Sequence, residues 1–146
     1  MGTSYSPETI NVITRHAIVF RNAIENTKED LGIVFADFPL GSCGDTALLL
    51  GAYFMECGLG DFNYVCGMKG PRSHAWLEKD GLIVDITGDQ FPGGVRVYVG
   101  TKNAFYKRFK EEDIHPWYES LQGPSIYSDR LSVQYTIIKR NILEAN

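Results

Sequence analysis

Ser73-His74-Ala75-Trp76-Leu77-Glu78-Lys79-Asp80-Gly81-Leu82-Ile83-Val84-Asp85-Ile86-Thr87 is the stretch on which the fold turns. Two strand-like runs, Ser73 to Lys79 and Leu82 to Thr87, flank Asp80-Gly81, a dipeptide that favours a two-residue hairpin loop. Such a loop pairs Lys79 with Leu82, Glu78 with Ile83, Leu77 with Val84, Trp76 with Asp85 and His74 with Thr87. Side chains alternate along a strand and opposed residues share a face. His74, Trp76, Asp85 and Thr87 therefore share one face, with His74 and Asp85 as diagonal neighbours. The other face, Ala75, Leu77, Val84 and Ile86, is wholly apolar. A three-residue loop would send Asp85 to that apolar face instead. A carboxylate within Leu82–Ile86 is out of pattern, and burying it requires a partner. His74 is the candidate.

Outward from the hairpin, a third strand is expected from Phe62 to Met68 and another short one from Val95 to Val99. Upstream, Cys43 to Cys57 reads as a helix, apolar nearly all round and therefore buried at the centre. Gly58 suits a left-handed stop. A first helix is expected from Pro7 to Asp30, capped by Ser6, with Ile10, Ile13, Ala17, Phe20 and Ile24 as its apolar stripe. Thr101 to Glu112 is expected to be helical and His115 to Pro124 a loop. Asp129 to Glu144 is expected as a closing helix with Leu131, Tyr135, Ile138 and Ile142 on one stripe. The order predicts an α+β fold: a central helix packed on an antiparallel sheet, with flanking helices.

The chain has 146 residues, 44% hydrophobic and 22% charged, which fits one globular domain spanning 1–146. A net charge of −4 argues against a nucleic-acid or polybasic membrane binder. There is no apolar run long enough to span a membrane, and no signal-peptide pattern at the N-terminus. Met1-Gly2 with Ser6 fits the loose myristoylation pattern, and its shortness makes coincidence the preferred explanation. Cys43, Cys57 and Cys66 are too few and too irregular for a disulfide framework. A cytoplasmic location is expected, with export by a route lacking an N-terminal signal as the alternative. Cys-x-x-Cys and His-x-x-x-His spacings do not occur, so neither metal nor cofactor is expected. Cys57 and Cys66 are expected in the core, and His16 as a structural or partly exposed residue of the first helix.

Cys43 opens the central helix. Unpaired N–H groups and the helix dipole favour a thiolate there, and the same N–H groups can stabilise an oxyanion. With His74 as base and Asp85 orienting it, Cys43 completes a nucleophile–imidazole–carboxylate trio. Backbone donors from Ser42 to Gly44 are the expected oxyanion hole. Gln90, five residues past Asp85, could add a donor if its loop folds back. Trp117 and Tyr118, in the expected loop, could wall a substrate groove. His115 is a weaker second candidate base, since no carboxylate pattern surrounds it.

Gly41-Ser42-Cys43-Gly44, Tyr64-Val65-Cys66-Gly67, the His74-Ala75-Trp76 strand and Val84-Asp85-Ile86-Thr87 together resemble the transglutaminase-like branch of the papain-like cysteine enzymes. The resemblance covers roughly Pro39 to Phe91. It implies a papain-like core with Cys43 as nucleophile, His74 as base and Asp85 as orienting acid. It further implies a peptide or protein substrate cleaved at an amide through an acyl-thioester. Hydrolysis by a protease or deamidase is preferred over crosslinking. A thiol acyltransferase and a binding module with an unused triad are the alternatives. One departure stands out. Papain-type proteases carry a Gln a few residues before the cysteine, whereas Asp37 lies six before Cys43, and an ionised carboxylate cannot donate.

Overall fold

Asp80 and Gly81 both adopt positive φ, 50° and 81°, and close the hairpin as a two-residue turn. The computed structural model describes residues 4–121 and 126–145. The described residues are α+β: four α-helices and one five-stranded antiparallel sheet. In chain order these are α1 (Pro7–Thr27), α2 (Cys43–Glu56), β1 (Asn63–Lys69), β2 (Arg72–Lys79), β3 (Leu82–Asp85), β4 (Tyr98–Gly100), α3 (Ala104–Lys107), β5 (Lys110–Pro116) and α4 (Ile126–Glu144). The sheet order is β4-β3-β2-β1-β5.

Local chemistry sets the helix ends. The Ser6 hydroxyl accepts from the Thr9 N–H at 3.2 Å, and Pro7 fills the first position of α1. Beyond Thr27 the chain tightens into a 3₁₀ turn, Lys28–Asp30, so the expected single helix to Asp30 ends earlier. Gly58, at φ 76°, ends α2.

The sheet separates two cores. On one face, α1, α2 and α4 bury Ile13, Phe20, Ile24, Leu50, Phe54 and Ile138 against Leu77 and Val84. On the other, Val65, Trp76 and Ile83 meet Phe91, Phe105, Tyr106 and Phe109. No helix among the described residues is long and apolar enough to cross a membrane.

Several expectations are corrected. Thr101 to Glu112 is not one helix. It holds the single turn α3, capped by the Asn103 side chain, and then the edge strand β5. The expected loop from His115 supplies the end of β5 and a 3₁₀ turn, Trp117–Leu121; residues 122–124 lie outside the described residues, as does the Tyr127 side chain. The strand expected over Val95–Val99 is Tyr98–Gly100. The expected Phe62–Met68 strand is Asn63–Lys69, and Leu82–Thr87 stops at Asp85.

Arg21 joins the first helix to the loop that follows β3. It is 3% exposed and grips both Asp89 oxygens at 2.9 Å while donating to the Ile86 carbonyl at 2.7 Å. Its guanidinium also lies 4.7 Å over the Phe38 ring. A planar fork suits this site and an ammonium does not. Arg21→Met is expected to cost about 3 kcal/mol in urea denaturation, the low end for stripping one partner from a buried pair, because Asp89 keeps some access to water. A loss below about 0.5 kcal/mol, the scale of an ordinary surface change, would show that the fork does not anchor this loop.

Candidate active site

Strand β2 delivers His74 and strand β3 delivers Asp85, both essentially without solvent contact. His74 Nε2 lies 2.6 Å from Asp85 Oδ2. The carboxylate accepts three further hydrogen bonds. These come from the Tyr106 hydroxyl at 2.7 Å, the Thr87 N–H at 2.9 Å and the Thr87 hydroxyl at 3.3 Å. A buried carboxylate is costly unless its lone pairs are filled, and here four donors fill them. Gly88 lets the chain close over this cradle, since a Cβ there would sit 3.0 Å from Asp85 Oδ2.

The expected hairpin register holds for Lys79–Leu82, Glu78–Ile83 and Leu77–Val84, and the ladder ends there. That early end matters. Helix α2 packs on the sheet face carrying Leu77 and Val84, while His74 and Asp85 belong to the opposite face. Where β2 and β3 are no longer paired, Cys43, Thr46 and Ala47 of α2 share a small cavity of about 10 Å³ with Ala75, Trp76, Asp85 and Thr87. Helix and hairpin residues from both faces meet in that gap.

Burial and two neighbours, Asp85 and Cys43, decide the state of the imidazole. Burial opposes protonation most strongly. The attraction and hydrogen bond of Asp85, with a further contribution from Cys43, outweigh it and push the His74 pKa up to about 9. The remaining ring nitrogen, Nδ1, is buried and makes no hydrogen bond of ordinary geometry. Asp85 occupies Nε2, and Cys43 is the other group acting on the ring. Cys43 itself is half-buried and so within reach of solvent.

An aromatic cap seals the imidazole. Phe91 stands edge-on to it at 4.9 Å, with Trp76 and Phe109 at 5.5 Å, and the Arg72 guanidinium lies 4.2 Å over Phe91. Excluding water in this way strengthens the His74–Asp85 interaction.

The other expected site residues are placed differently. Ser42 is buried and its hydroxyl donates to the Pro39 carbonyl at 3.3 Å. Gly44 follows Cys43 in the first turn of α2, beside the Tyr64 hydroxyl. Gln90 turns its amide to its own loop, donating to the Thr87 carbonyl at 3.0 Å. Trp117 is no groove wall near Cys43: it is buried against Gly51, about 12 Å along the helix axis from the first turn at 1.5 Å per residue. Asp37 is exposed. Cys57 is exposed rather than in the core, and Cys66 is half-buried. His115 does have carboxylates nearby, Asp113 at 3.6 Å and Glu119 at 4.0 Å.

Tyr106 and Arg21 are the residues that sequence reasoning missed. No family model, curated protein or solved structure matches the chain.

Proposed function

We propose that the chain is a cysteine-nucleophile enzyme that acts on amide bonds of peptide or protein substrates. The observation that carries this is the buried imidazole shared between Asp85 on Nε2 and Cys43, with Nδ1 otherwise unpartnered. A papain-like, transglutaminase-like core accounts for the same arrangement of helix start, His-Ala-Trp strand and Asp-bearing strand. The proposed steps are these. Cys43 gives its proton to His74 Nδ1, and Sγ attacks the substrate carbonyl carbon. The carbonyl π pair moves to oxygen. On collapse the C–N bond breaks, and the Nδ1 proton goes to the leaving nitrogen. The acyl-thioester on Cys43 is then resolved by water, with His74 as base, or by an amine. Asp85 holds the ring and its positive charge throughout. Hydrolysis is the preferred outcome.

A second reading draws on the enclosure of the site. The cavity that Cys43 shares with Asp85 holds about 10 Å³, and His74 has no exposed surface. A binding module with an assembled but unused triad would have these properties. A thiol acyltransferase would use the same three residues with a different donor.

Alkylation by iodoacetamide separates activation from mere exposure. Cys57 is the most exposed of the three thiols, so accessibility alone predicts that it reacts first. The proposal expects Cys43 to react first, roughly tenfold or more ahead, because rate follows thiolate fraction. Mass spectrometry of the peptides bearing Cys43, Cys57 and Cys66 reads the order. Equal rates, or Cys57 leading, would count against an activated sulfur.

A further inference from the structure

The side chains expected from the sequence to serve or flank the oxyanion site are turned elsewhere, while Thr46 Oγ1 and Trp76 Nε1, on residues lining the Cys43 cavity, are buried without a partner. Ser42 donates to Pro39, Gln90 to Thr87, and Asp37 is an exposed carboxylate with no proton to give. The Tyr64 hydroxyl approaches the first turn of α2 from the half-exposed side of the sheet. A Cβ built on Gly44 would lie 3.3 Å from the Tyr64 hydroxyl oxygen, so the residue after the nucleophile is a glycine where the phenol arrives.

Cys66 links this phenol to the surroundings of Cys43, and His115 backs its ring. Tyr64 and Cys66 lie two residues apart on β1 and so share a sheet face, and Tyr64 hydrogen-bonds the Cys66 thiol. Cys66 is opposite Ala75, which lines the Cys43 cavity. Cys43 also acts electrostatically on Cys66, adding to the effect of burial in pushing that thiol up. Finally, the Tyr64 ring stacks on its cross-strand partner His115, with centroids 5.0 Å apart and planes 20° from parallel. His115 is itself held, with Nδ1 donating to the Pro116 carbonyl at 2.8 Å.

Exposure distinguishes this side of the site from the other. His74 and Asp85 are sealed, whereas Tyr64, Cys66 and His115 are half-buried, as Cys43 is.

We propose that the Tyr64 hydroxyl donates a hydrogen bond to the oxyanion formed when Cys43 attacks a carbonyl, with the His115 ring holding the phenol in place. This rests on the acyl-transfer reading above. As the S–C bond forms, the carbonyl π pair moves to oxygen and Tyr64 O–H joins the backbone N–H groups of the first turn around it. No proton is transferred by Tyr64. Its present partner, a thiol, is a weak acceptor and is given up at little cost.

The test compares two reactions of the same sulfur. N-acetylglycinal, a minimal peptide aldehyde, adds to a thiolate to give a hemithioacetal and so uses the oxyanion site. Iodoacetamide displaces iodide and does not. Aldehyde affinity is read as protection of Cys43 from alkylation, by mass spectrometry. In Tyr64→Phe, which keeps the ring and its stack, the aldehyde inhibition constant is expected to rise about 10–100-fold, within the loss typical of one oxyanion donor, while the alkylation rate is unchanged. His115→Phe, which keeps a ring to stack on but loses the Pro116 hydrogen bond, should lose clearly less aldehyde affinity than Tyr64→Phe. Equal aldehyde affinity in wild type and Tyr64→Phe overturns the role of Tyr64 alone. A loss in His115→Phe matching that in Tyr64→Phe assigns the donor to the imidazole and also overturns it. No protection in the wild type, with Cys43 still preferentially alkylated, overturns the oxyanion site. No preferential alkylation overturns the underlying acyl-transfer reading.

Discussion

Cys43→Ala is expected to abolish turnover of every peptide amide that the wild-type chain converts, a loss of roughly 10⁴–10⁶-fold, the range found when one member of a nucleophile–base pair is removed. His74→Ala should lose nearly as much. The double variant should lose no more than either single one, because sulfur and imidazole act as one unit and their effects do not add. Turnover of a defined peptide library, followed by mass spectrometry, supplies the rates. Stability supplies the control. Cys43 is a half-buried residue in the first helical turn, so its replacement leaves the apolar core of α2 untouched. His74 is different, because its removal leaves Asp85 short of one of four donors and should lower stability as well as rate. Full turnover in Cys43→Ala would leave the unused-triad module as the better account.

Much of this site was legible because short-range rules govern it. Asp80-Gly81 sets the hairpin register, and that register puts His74 and Asp85 on one face. The apolar run from Ala47 to Phe54 marks α2 as central, which places Cys43 at a helix start. Residues acting from a distance were not legible. Tyr106 is 21 residues from Asp85 and sits in a four-residue helix, too short to leave a periodic signal. Nothing local shows that its hydroxyl turns inward. Strand β5 was hidden by its own edge position. Lys110, Glu111, Glu112 and Asp113 charge a strand that, among the described residues, pairs only with β1, which is how edges are kept from further pairing, and such a run reads as solvated helix. Two weak signals were available. An arginine beside the Ala17–Phe20–Ile24 stripe had to be buried or displaced from it. A glycine in the middle of an apolar helix, Gly51, implied a close approach, and the Trp117 ring makes it.

The early end of the β2–β3 ladder is the feature that sequence rules could not supply. An ideal hairpin continued to His74–Thr87 would keep the imidazole behind the sheet, away from α2. Instead, the Ile86 carbonyl, which would continue the ladder opposite Ala75, accepts from Arg21, and the Asp85 carboxylate takes the Thr87 N–H and hydroxyl in a local turn.

Asp85→Asn should show a double signature. The amide is nearly isosteric, but its NH₂ meets donors it cannot accept from, so Tyr106, Thr87 and His74 compete for one oxygen. Removing one partner of a buried charged pair costs about 3–5 kcal/mol, and the four-donor cradle puts this variant at the upper end. The pH dependence carries the sign. The folded-state pKa of His74 is raised to about 9 against an ordinary value near 6.5, with Asp85 and Cys43 outweighing burial. The stability this contributes is fully present below about 6.5 and is lost as pH rises through about 9. Denaturation midpoints taken from pH 6 to 10 should show a wide gap between wild type and Asp85→Asn at the acid end of that window, narrowing towards the alkaline end. Tyr106→Phe should leave the pH window in place while lowering stability by about 1–2 kcal/mol, since it removes one neutral donor and no charge. A gap between wild type and Asp85→Asn that is constant from pH 6 to 10 would mean that His74 carries no proton in the folded chain. The imidazolium–carboxylate pair on which the proposed chemistry depends would then be absent.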